Sequence, residues 1–186
     1  GSAGRMGLVT DALAGLLDRI VSCQEAMTAI EKQLADIVQR DTRSQRLMAA
    51  SGIGLITATA MSAGIGDFAR FPSGRHFASA LGLTPREYSS GGQRKLGRIT
   101  KRGDVYLRTL LIHGARSALM AAHKAKKRGQ PLDRTQHWAL TLAERKGHNK
   151  AVVALANKTA RRLWAAEHHG ASFDPEHVSR REQAAG

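Results

Sequence analysis

Between Asp11 and Arg46 the apolar residues recur in alternating steps of three and four: Leu13, Leu16, Ile20, Cys23, Met27, Ile30, Leu34 and Ile37. No proline interrupts the stretch, and no glycine follows Gly15 within it. This is a heptad a/d seam, held for almost four heptads. It predicts one long helix whose apolar stripe is too narrow to belong to a globular core. Such a stripe has to meet another helix. Either a partner chain supplies it, making residues 7–47 a coiled-coil arm and the protein a homo-oligomer, or the stripe packs back on its own chain. The coiled-coil arm is the expectation adopted. Its charges nearly cancel, with Asp11, Asp18, Glu25, Glu31, Asp36 and Asp41 set against Arg19, Lys32, Arg40, Arg43 and Arg46.

Because the arm is close to neutral, essentially all of the formal net charge of +14 lies after it. An excess of that size implies a polyanionic partner, nucleic acid before any other. Only 4% of the residues are aromatic, which argues against a base-stacking platform and for contact with backbone phosphates. The single cysteine, Cys23, excludes an internal disulfide framework and a multi-cysteine zinc site, and it fits a reducing cytoplasm. The histidines are scattered without metal-ligand spacing. No apolar run is long enough to span a bilayer, so no membrane partner is expected. A chain of 186 residues can bury one core beside an elongated appendage. Residues 1–6 read as an expression scar, so the chain is expected to be part of a longer protein.

After the arm, Ala50-Ser-Gly-Ile-Gly54 breaks the helical period and Leu55 to Ala63 resumes it. Gly-hydrophobic-Gly between two helical stretches predicts a helix-hairpin-helix element over 48–68. Gly52 and Gly54 would there present backbone N–H groups to phosphate. Gly64-Ile-Gly66 closes that element, and Ser73 is placed to cap a helix carrying Phe77, Ala78, Ala80 and Leu81. A long helix is predicted from Val105 to Ala122, with small residues along half of its apolar face. A shorter one follows over Thr135–Glu144, and an alanine-rich one over Ala151–Trp164. Two basic stretches, Lys124-Ala-Lys-Lys-Arg-Gly129 and Arg145-Lys-Gly-His-Asn-Lys150, separate these helices. The first is equally consistent with simple capping of a helix C-terminus. The expected architecture is all-α: the coiled-coil helix, a compact helical domain over 48–169, and a flexible polar tail over 170–186.

The chemistry concentrates in the loop 82–104. Ser89 and Ser90 stand against the pair Gly91-Gly92 in a sterically open turn. Around them lie Arg86, Arg94, Lys95, Arg98, Lys101 and Arg102, with Glu87 as the one acid up to Arg102. Pro85 forbids helix, and Thr100 or Asp104 is placed to cap the helix that follows. A serine ringed by cations suits a phosphodiester. To act as a nucleophile it also needs an activating base or metal, and no carboxylate cluster follows Asp67. The residues alone therefore leave two readings of the serine, a phosphate contact and a nucleophile.

The run from Gly52 to Leu119 resembles the C-terminal transposase domain of the insertion sequence one-ten family, the bridge-RNA-guided serine recombinases. The likeness rests on Gly52-Ile-Gly54, Phe71-Pro72, Gly82-Leu-Thr-Pro-Arg86, Ser90-Gly91, Gly97-Arg-Ile-Thr-Lys-Arg-Gly103 and Tyr106-Leu-Arg108. The resemblance implies DNA and a guide RNA as partners, and a serine that attacks DNA to form a 5′-phosphoserine link. Its register implies Ser90 as the nucleophile, or Ser89 if the doubled serine shifts the register by one. It further implies a RuvC-like domain whose DEDD carboxylates bind Mg²⁺, a domain with no counterpart in this chain. No cofactor is expected in the chain itself, and strand exchange is not expected of it unaided. The arm would associate subunits, and the location would be cytoplasmic, bacterial and nucleoid-associated. A different class remains beside this one, a non-catalytic nucleic-acid-binding and dimerisation module.

Overall fold

In the computed structural model, which describes residues 2–90, 92–93, 95–171, 173–174 and 176, the arm is a single helix, α1 (Ser2–Arg40). Leu13, Leu16, Ile20, Met27, Ile30 and Ile37 along its seam stay more than half exposed, and Cys23 is exposed with them. Only the last turns of α1 meet the rest of the chain, through the half-buried Leu34 and the buried Val38. The stripe therefore does not pack back on its own chain among the described residues.

The arm ends sooner than its periodicity predicts. Asp41 takes an extended backbone (φ −106°, ψ 97°) and caps a separate short helix, α2 (Thr42–Met48). Its carboxylate accepts hydrogen bonds from the Ser44 hydroxyl at 2.5 Å, the Ser62 hydroxyl at 2.7 Å and the Arg43 N–H at 3.1 Å. These bonds reward the non-helical conformation, which is why a capping aspartate wins over a continuous apolar period. The hydroxyl of Ser44 first, and then that of Ser62, lower the Asp41 pKa from 3.8 to about 2. A depressed folded-state pKa means the contribution to stability is complete above 3.8 and is lost as the pH falls through about 2. Asp41→Ala should cost about 1–2 kcal/mol at neutral pH, the range for losing a good N-cap. It should also flatten the loss of stability between pH 4 and pH 2, as denaturant unfolding across that range would show. A variant whose acid limb matches that of the wild type would contradict this account.

A turn over 49–54 leads to α3 (Leu55–Ile65), which stops at Gly66, whose positive φ of 65° a helix cannot continue. Asp67 caps a single 3₁₀ turn (Phe68–Arg70), and Ser73 caps α4 (Gly74–Ala80) as expected, its Oγ 3.4 Å from the His76 N–H. The helical core is completed by α5 (Val105–Lys127), α6 (Arg134–Lys146) and α7 (His148–His169). All three run beyond the ranges read from periodicity. A capping box between Asp133 and Gln136 starts α6. Phe77, Met61, Leu83, Leu111, Leu119 and Leu163 are fully buried among these helices.

The alanines of α7 let other helices approach it closely, and α7 packs against α4, α5 and α6. At its C-terminal end the Trp164 indole N–H donates to the carbonyls of Phe68 and Phe71 at 3.1 and 3.0 Å. One turn on, Glu167 accepts two 2.9 Å hydrogen bonds from Arg46, a fork that ties α2 to α7.

The all-α expectation is corrected at one place. The loop 82–104 contains a two-stranded antiparallel sheet, β1 (Pro85–Glu87) and β2 (Leu96–Ile99). Pro85 faces Ile99 and Glu87 faces Leu96, with a bulge between the two pairs. Strands of three and four residues carry too little alternation to announce themselves beside glycines. The flexible tail expected over 170–186 lies largely outside the described residues. Of its described part, Phe173 packs under Arg162, with the guanidinium 4.5 Å from the ring centroid, and Glu176 accepts from Arg134 N–H at 3.1 Å. No helix among the described residues is long and apolar enough to cross a membrane.

Candidate nucleic-acid interface

The hairpin is held at its root and free at its tip. At the root Leu83 N–H donates to Ala78 O at 2.9 Å, Lys101 N–H to Gly82 O at 3.1 Å and Asp104 N–H to Ala80 O at 3.3 Å. Here the backbone runs so close to itself that only glycine fits. A Cβ on Gly82 (φ +68°) would overlap the Arg102 carbonyl oxygen, and one on Gly103 (φ +110°) the Ala80 carbonyl oxygen. Lys101 adopts φ 56°, the one non-glycine residue with positive φ among those described. Two long-range bonds brace this root. Buried Arg108 on α5 donates to Leu81 O at 3.1 Å, and Asn157 on α7 donates to Leu83 O at 3.0 Å. Asp104, one of the two expected caps, accepts from Leu107 N–H at 2.8 Å and starts α5.

Toward the tip, Tyr88 N–H donates to Lys95 O at 2.8 Å, and Ser90 and Gln93 form a last bridge with Gln93 N–H donating to Ser90 O at 3.1 Å. Gly97 lies directly under the Tyr88 ring, where a Cβ would come within 2.8 Å of it. Both serines are exposed. The Ser89 hydroxyl donates to Glu87 Oε1 at 2.6 Å and accepts from Lys95 N–H at 3.3 Å. Among the described residues no side-chain hydrogen bond engages the Ser90 hydroxyl. The Glu87 contact was not anticipated. Its signal is the i, i+2 spacing of Glu87 and Ser89, which puts both side chains on one face once the segment is known to be a strand.

Of the predicted cations, Arg86, Lys95, Arg98, Lys101 and Arg102 are all exposed along the hairpin and its root, and no ion pair engages them among the described residues. Arg94 lies outside the described residues. The second predicted element, the glycine turn, divides in two. Gly52 (φ +86°) is pressed against Gly114 of α5, so its role is close packing. Gly54 is exposed, has open space around it, and is the N-cap of α3 with no side-chain cap. The first N–H groups of α3 are thereby left to solvent or a ligand. An open cavity of about 910 Å³ lies beside this turn, walled by Gly54, Ile56, His113, Ser117, Gln136 and Arg162 among others. Neither serine lines it, so the cavity and the hairpin are separate features.

His76 is exposed and its ring contacts the Ser73 hydroxyl at 2.8 Å, while His168 stacks on Trp164 with ring centroids 4.5 Å apart. Among the described residues no group of three or more His, Cys, Asp and Glu side chains is placed to hold a metal ion.

Comparison with known proteins shows what this chain is similar to. Residues 44–130 match a family model described as "Transposase IS116/IS110/IS902 family". The match spans α2, the glycine turn, the serine hairpin and α5. The chain is 45% identical over 153 residues to a protein of Pseudomonas aeruginosa described as "Probable family 20 transposase", covering 82% of this chain and 44% of that protein. It is 39% identical over 150 residues to the "Transposase for insertion sequence element IS1111A" of Coxiella burnetii, covering 81% and 40%. With the "Transposase for insertion sequence element IS1328" of Yersinia enterocolitica the identity is 36% over 149 residues, covering 80% and 43%. The chain thus spans less than half the length of the curated relatives it matches.

Proposed function

From the match of residues 44–130 to the model of the IS116/IS110/IS902 transposase family, we propose that this chain is a domain of such a transposase and that the serine hairpin is the element that joins it covalently to DNA. The observation that carries the reading is the placement of Ser89 and Ser90 at the exposed tip of a cation-bearing hairpin whose root is fixed to α4, α5 and α7. A rigid root positions the hydroxyl, and the cations hold the phosphate on which charge develops.

In the step proposed, the Ser90 hydroxyl oxygen bonds to phosphorus and the bond from phosphorus to the 3′ oxygen breaks. The products are a 5′-phosphoserine and a free 3′ hydroxyl, which takes the proton the serine gives up. Exposed N–H groups at the start of α3 and the cations Arg86, Lys95, Arg98, Lys101 and Arg102 grip neighbouring phosphates without reading sequence. Among the described residues no three ligating side chains lie together to hold Mg²⁺. Metal-binding carboxylates and the RuvC-like domain belong to the remainder of the longer protein. Guide RNA binding, and association of subunits through the exposed α1 seam, complete the proposal.

A second assignment of the nucleophile is favoured by one contact. The 2.6 Å bond from Ser89 to Glu87 is the geometry of a hydroxyl beside its proton acceptor. The test of the whole reading is covalent trapping. The full-length protein, guide RNA, Mg²⁺ and end-labelled target DNA are mixed, and a protein–DNA adduct that survives denaturation is expected. DNA bound without any adduct would leave the serines as phosphate contacts and the domain as a binding module.

A further inference from the structure

The two basic stretches that the hairpin reading leaves unused come together in the fold. Lys126 Nζ reaches Glu144 Oε1 at 3.0 Å, so the last turn of α5 lies beside the last turn of α6. Gly147 then turns the chain directly into α7. Around this junction stand Lys124, Lys127, Arg128, Arg145, Lys146 and Lys150, all exposed. The first turn of α7 carries His148 and Lys150, has no acidic residue and no side-chain cap. A lysine at a helix N-terminus opposes the macrodipole, a local cost that an external anion would relieve.

This cluster and the serine hairpin sit at opposite ends of α5. With 23 residues, α5 spans about 34 Å at roughly 1.5 Å per residue. That length is close to one turn of duplex DNA, about 34–36 Å. Between the two ends α5 contains no aspartate or glutamate. An exposed line of its residues runs from Tyr106 through Thr109, His113, Ser117 and Met120 to His123, at the three- and four-residue spacing of one helix face. A polyanion following that line meets no like charge from α5. The cluster offers lysines and arginines without an aromatic among them, which suits duplex backbone and not unstacked bases.

We propose that the junction of α5, α6 and α7 is a second phosphate-contacting surface for duplex DNA, set one helical turn from the serine hairpin by the length of α5. Its spacing argument rests on the hairpin touching DNA; its own affinity for phosphate does not.

The experiment compares the chain with two variants, Lys124→Ala/Lys127→Ala/Arg145→Ala/Lys150→Ala at the junction and Arg86→Ala/Arg98→Ala on the hairpin. Binding is read by fluorescence anisotropy across a salt series, on DNA duplexes of about 10 and about 24 base pairs, the shorter being about one turn, and on a structured RNA. All the substituted side chains are exposed, and circular dichroism checks that each variant folds. For the wild type, the slope of log affinity against log salt should steepen from the short duplex to the long one. In the junction variant it should be shallower by about 3–4 on the long duplex, roughly one for each lost contact, with binding at least about tenfold weaker near 0.15 M salt. Wild-type affinity and slope in the junction variant would overturn the inference, as would a loss confined to structured RNA. Weakening in the hairpin variant alone also overturns it and leaves the hairpin reading intact. Weakening in the junction variant alone supports the second surface and counts against DNA contact by the hairpin.

Discussion

Gly114→Ala should destabilise the protein by about 2–3 kcal/mol, although alanine is intrinsically the better helix residue by about 1 kcal/mol. Gly114 lies inside α5, where the missing side chain admits the turn over 49–54. A Cβ there would overlap the Gly52 carbonyl oxygen and come within 3.0 Å of its carbon. Both contacts are with backbone, so no rotamer can relieve them, and the turn must move away from α5. That displacement would carry the N-terminus of α3 with it. Gly15→Ala is the internal control, because nothing lies within 4 Å of the position a Cβ would take on α1. There the propensity gain stands unopposed, and stability should rise by about 0.5–1 kcal/mol if α1 unfolds with the rest. Denaturant midpoints measure both. Gly114→Ala with a midpoint at or above the wild type would show that the turn is not clamped as described.

Ser90→Ala in the full-length protein is expected to reduce covalent adduct formation by about 10³-fold or more, the scale on which removing a nucleophile acts. Binding of DNA should change little, since one hydroxyl among many cations carries a small share of phosphate affinity. The serines can be told apart because their surroundings differ. Ser89 is held from both sides, donating to Glu87 and accepting from Lys95 N–H, so its hydroxyl closes the hairpin ladder. Ser90 sits one step closer to the tip. Ser89→Ala and Glu87→Gln are accordingly expected to keep the adduct within about tenfold of wild type. The reverse pattern has a clear meaning. If Ser90→Ala keeps the adduct while Ser89→Ala and Glu87→Gln each slow it by about 10²-fold or more, then Ser89 is the nucleophile and Glu87 its general base.

The parts of this molecule legible in the sequence are those set by residues near one another in the chain. The seam of α1 follows from a repeat that needs no other segment to define it. The caps at Ser73 and Asp104, and the stop at Gly66, follow from side chains and glycines acting within a turn of themselves. The cation content of the hairpin, on which the expectation of a polyanionic partner rests, is likewise a property of composition. Asp41 marks the limit of this kind of reading. Its capping of α2 is local, but the Ser62 hydroxyl that helps hold it comes from α3.

Tertiary structure decided the rest, because it depends on groups far apart in the chain meeting at hydrogen-bonding or van der Waals distance. The hairpin strands are too short to form on period alone. They persist because Arg108 and Asn157 fix their root, and because Gly82 and Gly103 let the backbone cross where a Cβ could not. Gly52 and Gly54 look alike in a sequence, yet α5 closes over one and leaves the other open. The bond from Ser89 to Glu87 needed strand geometry before it could be seen. The convergence of two basic stretches at the end of α5 needed the path of α6. The sequence by itself determined the longer helices and what charge they carry; the tertiary structure determined which glycines are packing surfaces, which serine is engaged, and where the cations gather.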